Sequence, residues 1–101
     1  MNTILVQLNQ LFERIPRRYS PDNVKEIYDI LNMYEDLLRV IETQPAYEKD
    51  IAFLFDALEP IRATIKKSAD NKANKKTKDL FFDEASGNLK DTIEALKVIY
   101  H

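Results

Sequence analysis

The 101-residue chain contains no cysteine, no tryptophan, a single glycine (Gly87) and a single histidine (His101). Each shortage removes a class of chemistry. Without cysteine there is no disulfide scaffold, no thiolate zinc site and no cysteine nucleophile, and the composition suits a reducing compartment. One glycine cannot build a glycine-rich phosphate loop, and it supplies almost none of the turns that a hairpin-rich sheet requires. One histidine, at the last position, leaves no catalytic triad, no His–carboxylate metal pair and no phosphorelay histidine within a helix, so His101 is expected to be a solvated terminal side chain. The Glu-x-x-His motif of dimetal bundles is also missing. Asp70-Asn71-Lys72-Ala73-Asn74 resembles the start of a calcium loop. However, Lys75 stands where the turn glycine belongs and Phe81 where the bidentate glutamate belongs. No nucleophile, base and orienting residue combine into a discernible set. The chain reads as non-enzymatic, with no metal and no cofactor.

Long apolar runs are also lacking. Ile4-Leu5-Val6 stops at Gln7, far short of a signal-peptide core or a spanning helix. No basic residue precedes Arg14, and Glu13 lies in the same stretch, which argues against a mitochondrial presequence. The expectation is a cytoplasmic protein with no membrane partner.

What is present is ordinary in amount and ordered in pattern. An apolar fraction of 45% beside 32% charged residues is too apolar for wholesale disorder. A chain of this length makes one domain that buries roughly 60–65% of its unfolded surface. Four helical segments follow from apolar spacing. Ile4, Leu5, Leu8, Leu11, Phe12 and Ile15 form one stripe, which Asn2 or Thr3 can cap and Pro16 ends. Ser20-Pro21-Asp22 opens a second helix with a capping hydroxyl, a proline where its missing N–H costs nothing, and an acid near the positive end; it runs to about Thr43. Tyr47, Ile51, Leu54, Leu58, Ile61 and Ile65 mark a third segment, with Pro60 inside it. Proline removes a hydrogen bond and clashes with the preceding turn, which predicts a kink or two short helices broken near Leu58-Glu59. Phe82, Ala85, Leu89, Ile93, Leu96 and Tyr100 mark a fourth. Its Ser86-Gly87-Asn88 interruption is read as tolerated within a continuous helix. The predicted architecture is all-α: a small antiparallel up-down bundle of three long helices plus a shorter N-terminal one.

The net charge of −2 conceals an uneven distribution. Residues 66–78 hold six lysines against Asp70 alone, a local +5, leaving the rest of the chain at −7. This stretch contains no Leu, Ile, Val or aromatic residue and reads as an exposed linker with frayed helical ends. Lys72, Lys75 and Lys76 there, with Arg14, Arg17 and Arg18 at the first connection, are the candidate anion-binding residues. In an up-down bundle both connections fall at one end, where they form a basic pole. Against nucleic acid stands the absence of interleaved aromatics for base stacking and of arginine for base readout within the lysine segment. The acids Asp22, Glu26 and Asp29, and Asp79, Asp83 and Glu84, read as dipole-complementing or solvated faces rather than as a carboxylate site.

The second helix carries more apolar residues than one face holds. Ile27, Leu31, Tyr34, Leu38 and Ile41 make one stripe, and Ile30, Met33, Leu37 and Val40 make another beside it. At about 100° per residue, Met33 and Val40 point some 120–140° away from Ile27. Phe53 falls off the third stripe, and Phe81 is similarly displaced beside Phe82. Met33, Val40, Phe53 and Phe81 are therefore the candidate protein-binding residues, and burying one free aromatic contributes roughly 1.5–3 kcal/mol to a complex. The leading expectation is a protein-binding module of the immunity-protein, inhibitor or adaptor type, partnered by another protein or by a second copy. The alternative is a nucleic-acid- or anion-binding accessory protein that uses the basic pole.

Overall fold

The computed structural model describes residues 3–100, so His101 and the candidate cap Asn2 lie outside the described residues. Five helices follow in chain order: α1 (Thr3–Arg14), α2 (Pro21–Glu42), α3 (Ala52–Asp56), α4 (Leu58–Ser68) and α5 (Lys75–Ile99). Among the described residues there is no strand. The molecule measures 45 × 24 × 17 Å, with its long axis set by α2 and α5, the two long helices.

The start of α2 follows its local sequence closely. Ser20 is extended, and its hydroxyl accepts from the Asn23 N–H at 3.0 Å; Pro21 takes the first helical position and Asp22 lies in the first turn. The Asn23 side-chain amide donates back to the Arg18 carbonyl at 2.8 Å and fixes the approach of the chain. α1 ends at Arg14, one residue before Ile15, which closes a turn onto the Phe12 carbonyl and buries its side chain ahead of Pro16.

The third span departs from a single long helix. Residues 45–50 form turns, α3 has five residues, and the chain re-enters a helix at Leu58. The break falls at Ala57, one residue before the Leu58-Glu59 position indicated by proline chemistry. That register places Pro60 third in α4, inside the first turn, where an N–H has no intrahelical partner to lose. Ile51, Leu54, Leu58, Ile61 and Ile65 are nonetheless all buried. The apolar stripe survives because Ala57 keeps helical dihedrals (φ −74°, ψ −19°) and does not redirect the chain.

The lysine-rich stretch is more helical than an exposed linker over residues 66–78 implies. α4 continues through Ser68 and α5 starts at Lys75, leaving only residues 69–74 outside helices. Two side chains explain this. Ser68 is fully buried and donates to the Ile65 carbonyl at 2.6 Å, while Asn74 caps α5 by accepting from the Thr77 N–H at 2.8 Å. At the other interruption, Gly87 lies within an unbroken α5 and has no positive φ.

The core is built from the stripes. Leu8, Leu11, Ile27, Leu31, Tyr34, Leu38, Ile61, Ile65, Phe82, Leu89, Ile93 and Leu96 belong to one buried cluster. Polar groups inside it are satisfied: Tyr34 donates to the Thr92 carbonyl at 3.0 Å, and Ser86 to the Pro16 carbonyl at 2.8 Å. Burial pushes the Tyr34 hydroxyl up to about 12 from the usual 10.0. Glu35 on α2 accepts from both Arg39 and Arg62, and Arg62 also reaches Asn32 and Glu59, tying α4 to α2. These arginines hold the Glu35 carboxyl below its usual range. The Phe12 ring meets Lys90 and Lys97 of α5 at 5.8 and 5.7 Å, which seats α1 on α5.

Candidate functional site

The candidate residues do not gather at one site, and two surfaces carry most of them. The first follows the second apolar stripe of α2, whose members leave the core in steps. Ile30 is fully buried, Met33 and Leu37 are half-buried, and Val40 is 52% exposed. Met33 and Leu37 form one wall of a groove of about 550 Å³ between α2 and α1, with Leu11 in its floor. Gln7, Gln10 and Glu13 of α1 and Asp36 of α2 line its polar margin. The stripe thus serves two purposes. Its N-terminal member packs between neighbours, as a helix held by two others requires, and its C-terminal members stay open.

Phe53 on α3 is 55% exposed, because Leu54 takes the inward position on a helix too short to bury both. Phe81 is half-buried, with the Lys67 ammonium 5.6 Å from its ring centroid. Sequence reading passed over three further exposed apolar side chains: Val6, Leu80 (66%) and Val98 (74%). The signal for two of them was there. Leu80 and Val98 each lie two residues, about 200°, from a stripe member of α5, Phe82 and Leu96.

The second surface is basic and is assembled from two connections. The Tyr19 ring packs edge-on against Phe82 at 6.2 Å, Lys78 of α5 lies 5.4 Å from the Tyr19 centroid, and Ser86 bonds to Pro16. These contacts press the α1–α2 connection against the first three turns of α5, beside the α4–α5 connection. Arg17 and Arg18 therefore share an end of the molecule with Lys72, Lys75 and Lys76, and all five are exposed. Among the described residues none of the five is in an ion pair. Arg14 differs. Its guanidinium bonds to Glu26 Oε1 at 2.6 Å from Nη2 and 3.1 Å from Nε, so its charge is already matched within the fold. Lys75, Lys76 and Lys78 open α5 with no acid in its first turn, an arrangement that opposes the helix dipole and concentrates positive potential there.

Among the described residues, no three acidic or imidazole side chains gather closely enough to hold a metal ion, and no helix is long and apolar enough to cross a membrane. Comparison of the chain with protein-family models, with curated proteins and with solved structures returns no match, so the two surfaces themselves are the guide to what the protein does.

Proposed function

We propose that the chain is a non-enzymatic protein-binding module, an antiparallel up-down bundle that acts by occupying another protein's surface. Contacts at three places support the antiparallel arrangement. Arg14, at the end of α1, meets Glu26 near the start of α2; Arg39 and Glu35 of α2 meet Phe55 and Arg62 in turn, so the later residue on α2 meets the earlier one on the α3–α4 span; Lys67, at the end of α4, meets Phe81 near the start of α5. The cytoplasm is the compartment in which a cysteine-free chain of this kind is expected to act.

One observation carries the functional reading: the graded exit of the Ile30–Met33–Leu37–Val40 stripe from the core, with Met33 and Leu37 lining an open groove. A helix designed only for the core would end such a stripe in polar residues. Here apolar area continues into water at Val40, and Phe53 adds a ring more than half exposed. A partner that buries them gains roughly 25 cal/mol per Å² of apolar surface covered. Partly buried residues around a few apolar anchors are the usual anatomy of a protein interface.

The test is a photo-crosslinking residue at Phe53 in cell extract, with Met33→Ala and Val40→Ala as competitors. The expected result is one defined adduct that both substitutions diminish, while helix content stays at the starting value. Light scattering distinguishes a second copy, which would double the 11.8 kDa mass, from a different protein. The reading is overturned if the alanine variants melt the fold or leave the adduct at full yield.

A further inference from the structure

We propose that the basic end formed by the α1–α2 and α4–α5 connections is a binding site for single-stranded nucleic acid, separate from the apolar groove. The lysine segment by itself has charge but no ring on which a base could stack. Folding supplies the rings. Tyr19 comes from the first connection and Phe81 from the second turn of α5, and both residues are half-buried. Each is paired with an ammonium, Lys78 at 5.4 Å from the Tyr19 centroid and Lys67 at 5.6 Å from the Phe81 centroid. Single-strand binders combine a positively charged groove that tracks the backbone with aromatic side chains on which bases stack.

The surrounding charge fits the same ligand. Arg17, Arg18, Lys72, Lys75 and Lys76 are exposed and have no ion-pair partner among the described residues, so binding phosphate breaks no internal bridge. An acidic protein surface would use these cations and leave the rings idle. An anionic membrane fits less well. Leu80, the exposed apolar side chain of α5 nearest the lysines, is flanked on its helix by Asp79, Asp83 and Glu84, whose carboxylates would be carried towards the headgroups. Base stacking needs no such insertion. The pairing of ring and cation lies outside base-edge readout, so binding is expected to tolerate any sequence.

The experiment is fluorescence anisotropy of labelled oligo-uridylate and oligo-thymidylate of about 16 nucleotides, titrated with the full chain across salt. If all five free cations engage phosphates, log affinity falls against log salt with a slope of about −3.5, a loss of about 100-fold between 50 and 200 mM. Replacing Lys72, Lys75 and Lys76 together with glutamine reduces that slope by about 2. Tyr19→Leu and Phe81→Leu each weaken binding by about 5- to 100-fold and leave the slope unchanged. Circular dichroism checks both ring variants. Should Tyr19→Leu unfold through its contact with Phe82, Phe81→Leu and the exposed glutamine variant still decide the matter. Unequal affinity for the two oligomers assigns the site to RNA or to DNA. Absence of binding at about 50 mM salt overturns the proposal, as does an unaltered slope in the glutamine variant. Ring variants that bind as well as the original reduce the site to a generic polyanion surface and overturn it too. So does preference for phosphatidylserine–phosphatidylcholine vesicles over either oligomer.

Discussion

Replacing Gly87 with alanine should make this protein more stable. Gly87 is exposed, lies near the middle of the 25-residue α5 and has ordinary negative φ. A Cβ built there meets no heavy atom within 4 Å. Nothing inside the chain therefore requires a glycine at that point, and the residue retains only its entropic disadvantage. Glycine costs about 0.8–1.0 kcal/mol relative to alanine inside a helix, because the unfolded chain loses more freedom on ordering it. For a domain of this length 1 kcal/mol shifts the melting temperature by about 4–8 °C, so Gly87→Ala should raise Tm by about 3–8 °C. A thermal melt followed at 222 nm and a urea titration together measure it. The midpoint should rise, and the urea slope should stay constant, because no extra surface is buried. A Tm that is unchanged or lower would refute the reasoning. It would mean that α5 is not a regular helix at Gly87, or that a neighbouring molecule fills the space beside it in solution.

Two pH limbs follow from the core and from the α2–α4 ion pairs. The Tyr34 hydroxyl titrates at about 12 when folded against 10.0 when unfolded, so the stability it contributes is whole below pH 10 and is lost as pH rises through 12. That contribution is roughly 2–3 kcal/mol. Tyr34→Phe should flatten alkaline unfolding over that window, and equal alkaline midpoints in the two proteins would count against it. Glu35 has the opposite sign. Arg62 and Arg39 hold its carboxyl below the ordinary 4.5, so its contribution is present above that pH and disappears as pH falls through the folded value. Urea midpoints measured between neutral and acid pH should decline less in Glu35→Gln than in the original chain, and parallel declines would show that the arginines do not act through this carboxylate.

Local signals in the chain were legible where one residue's chemistry dominates. The Ser20-Pro21-Asp22 opening of α2 appears as written, and most stripe residues between Leu8 and Leu96 are buried, with Phe12 and Tyr47 only partly so. The break in the third span was also legible, because proline tolerates only a first turn, although the exact joint at Ala57 was not. Where spacing erred, a side chain competed. The lysine segment, which has no Leu, Ile, Val or aromatic residue, read as an exposed linker with frayed helical ends. Ser68 and Asn74 nevertheless extend helices into it from both sides, through one internal bond to a carbonyl and one cap. The second stripe of α2 was visible as a surplus, but periodicity cannot say how much of a surplus a neighbouring helix will cover.

The amino-acid sequence alone determined the helical character. Without cysteine and with a single glycine, these 101 residues hold no thiolate and no glycine-rich phosphate loop, whatever their shape. Apolar periodicity likewise sets which face of each helix turns inward, since that depends only on 3.6 residues per turn. Tertiary structure decided what the surfaces can do. Whether Met33 and Val40 end up covered depends on where α1 comes to rest, and α1 rests on Phe12 and the lysines of α5. Whether a lysine stretch has rings to work with depends on Tyr19, more than fifty residues away in the chain and brought beside Lys78 by its packing on Phe82. Such long-range juxtapositions arise from the shared requirement to bury apolar area, and no local spacing rule encodes them.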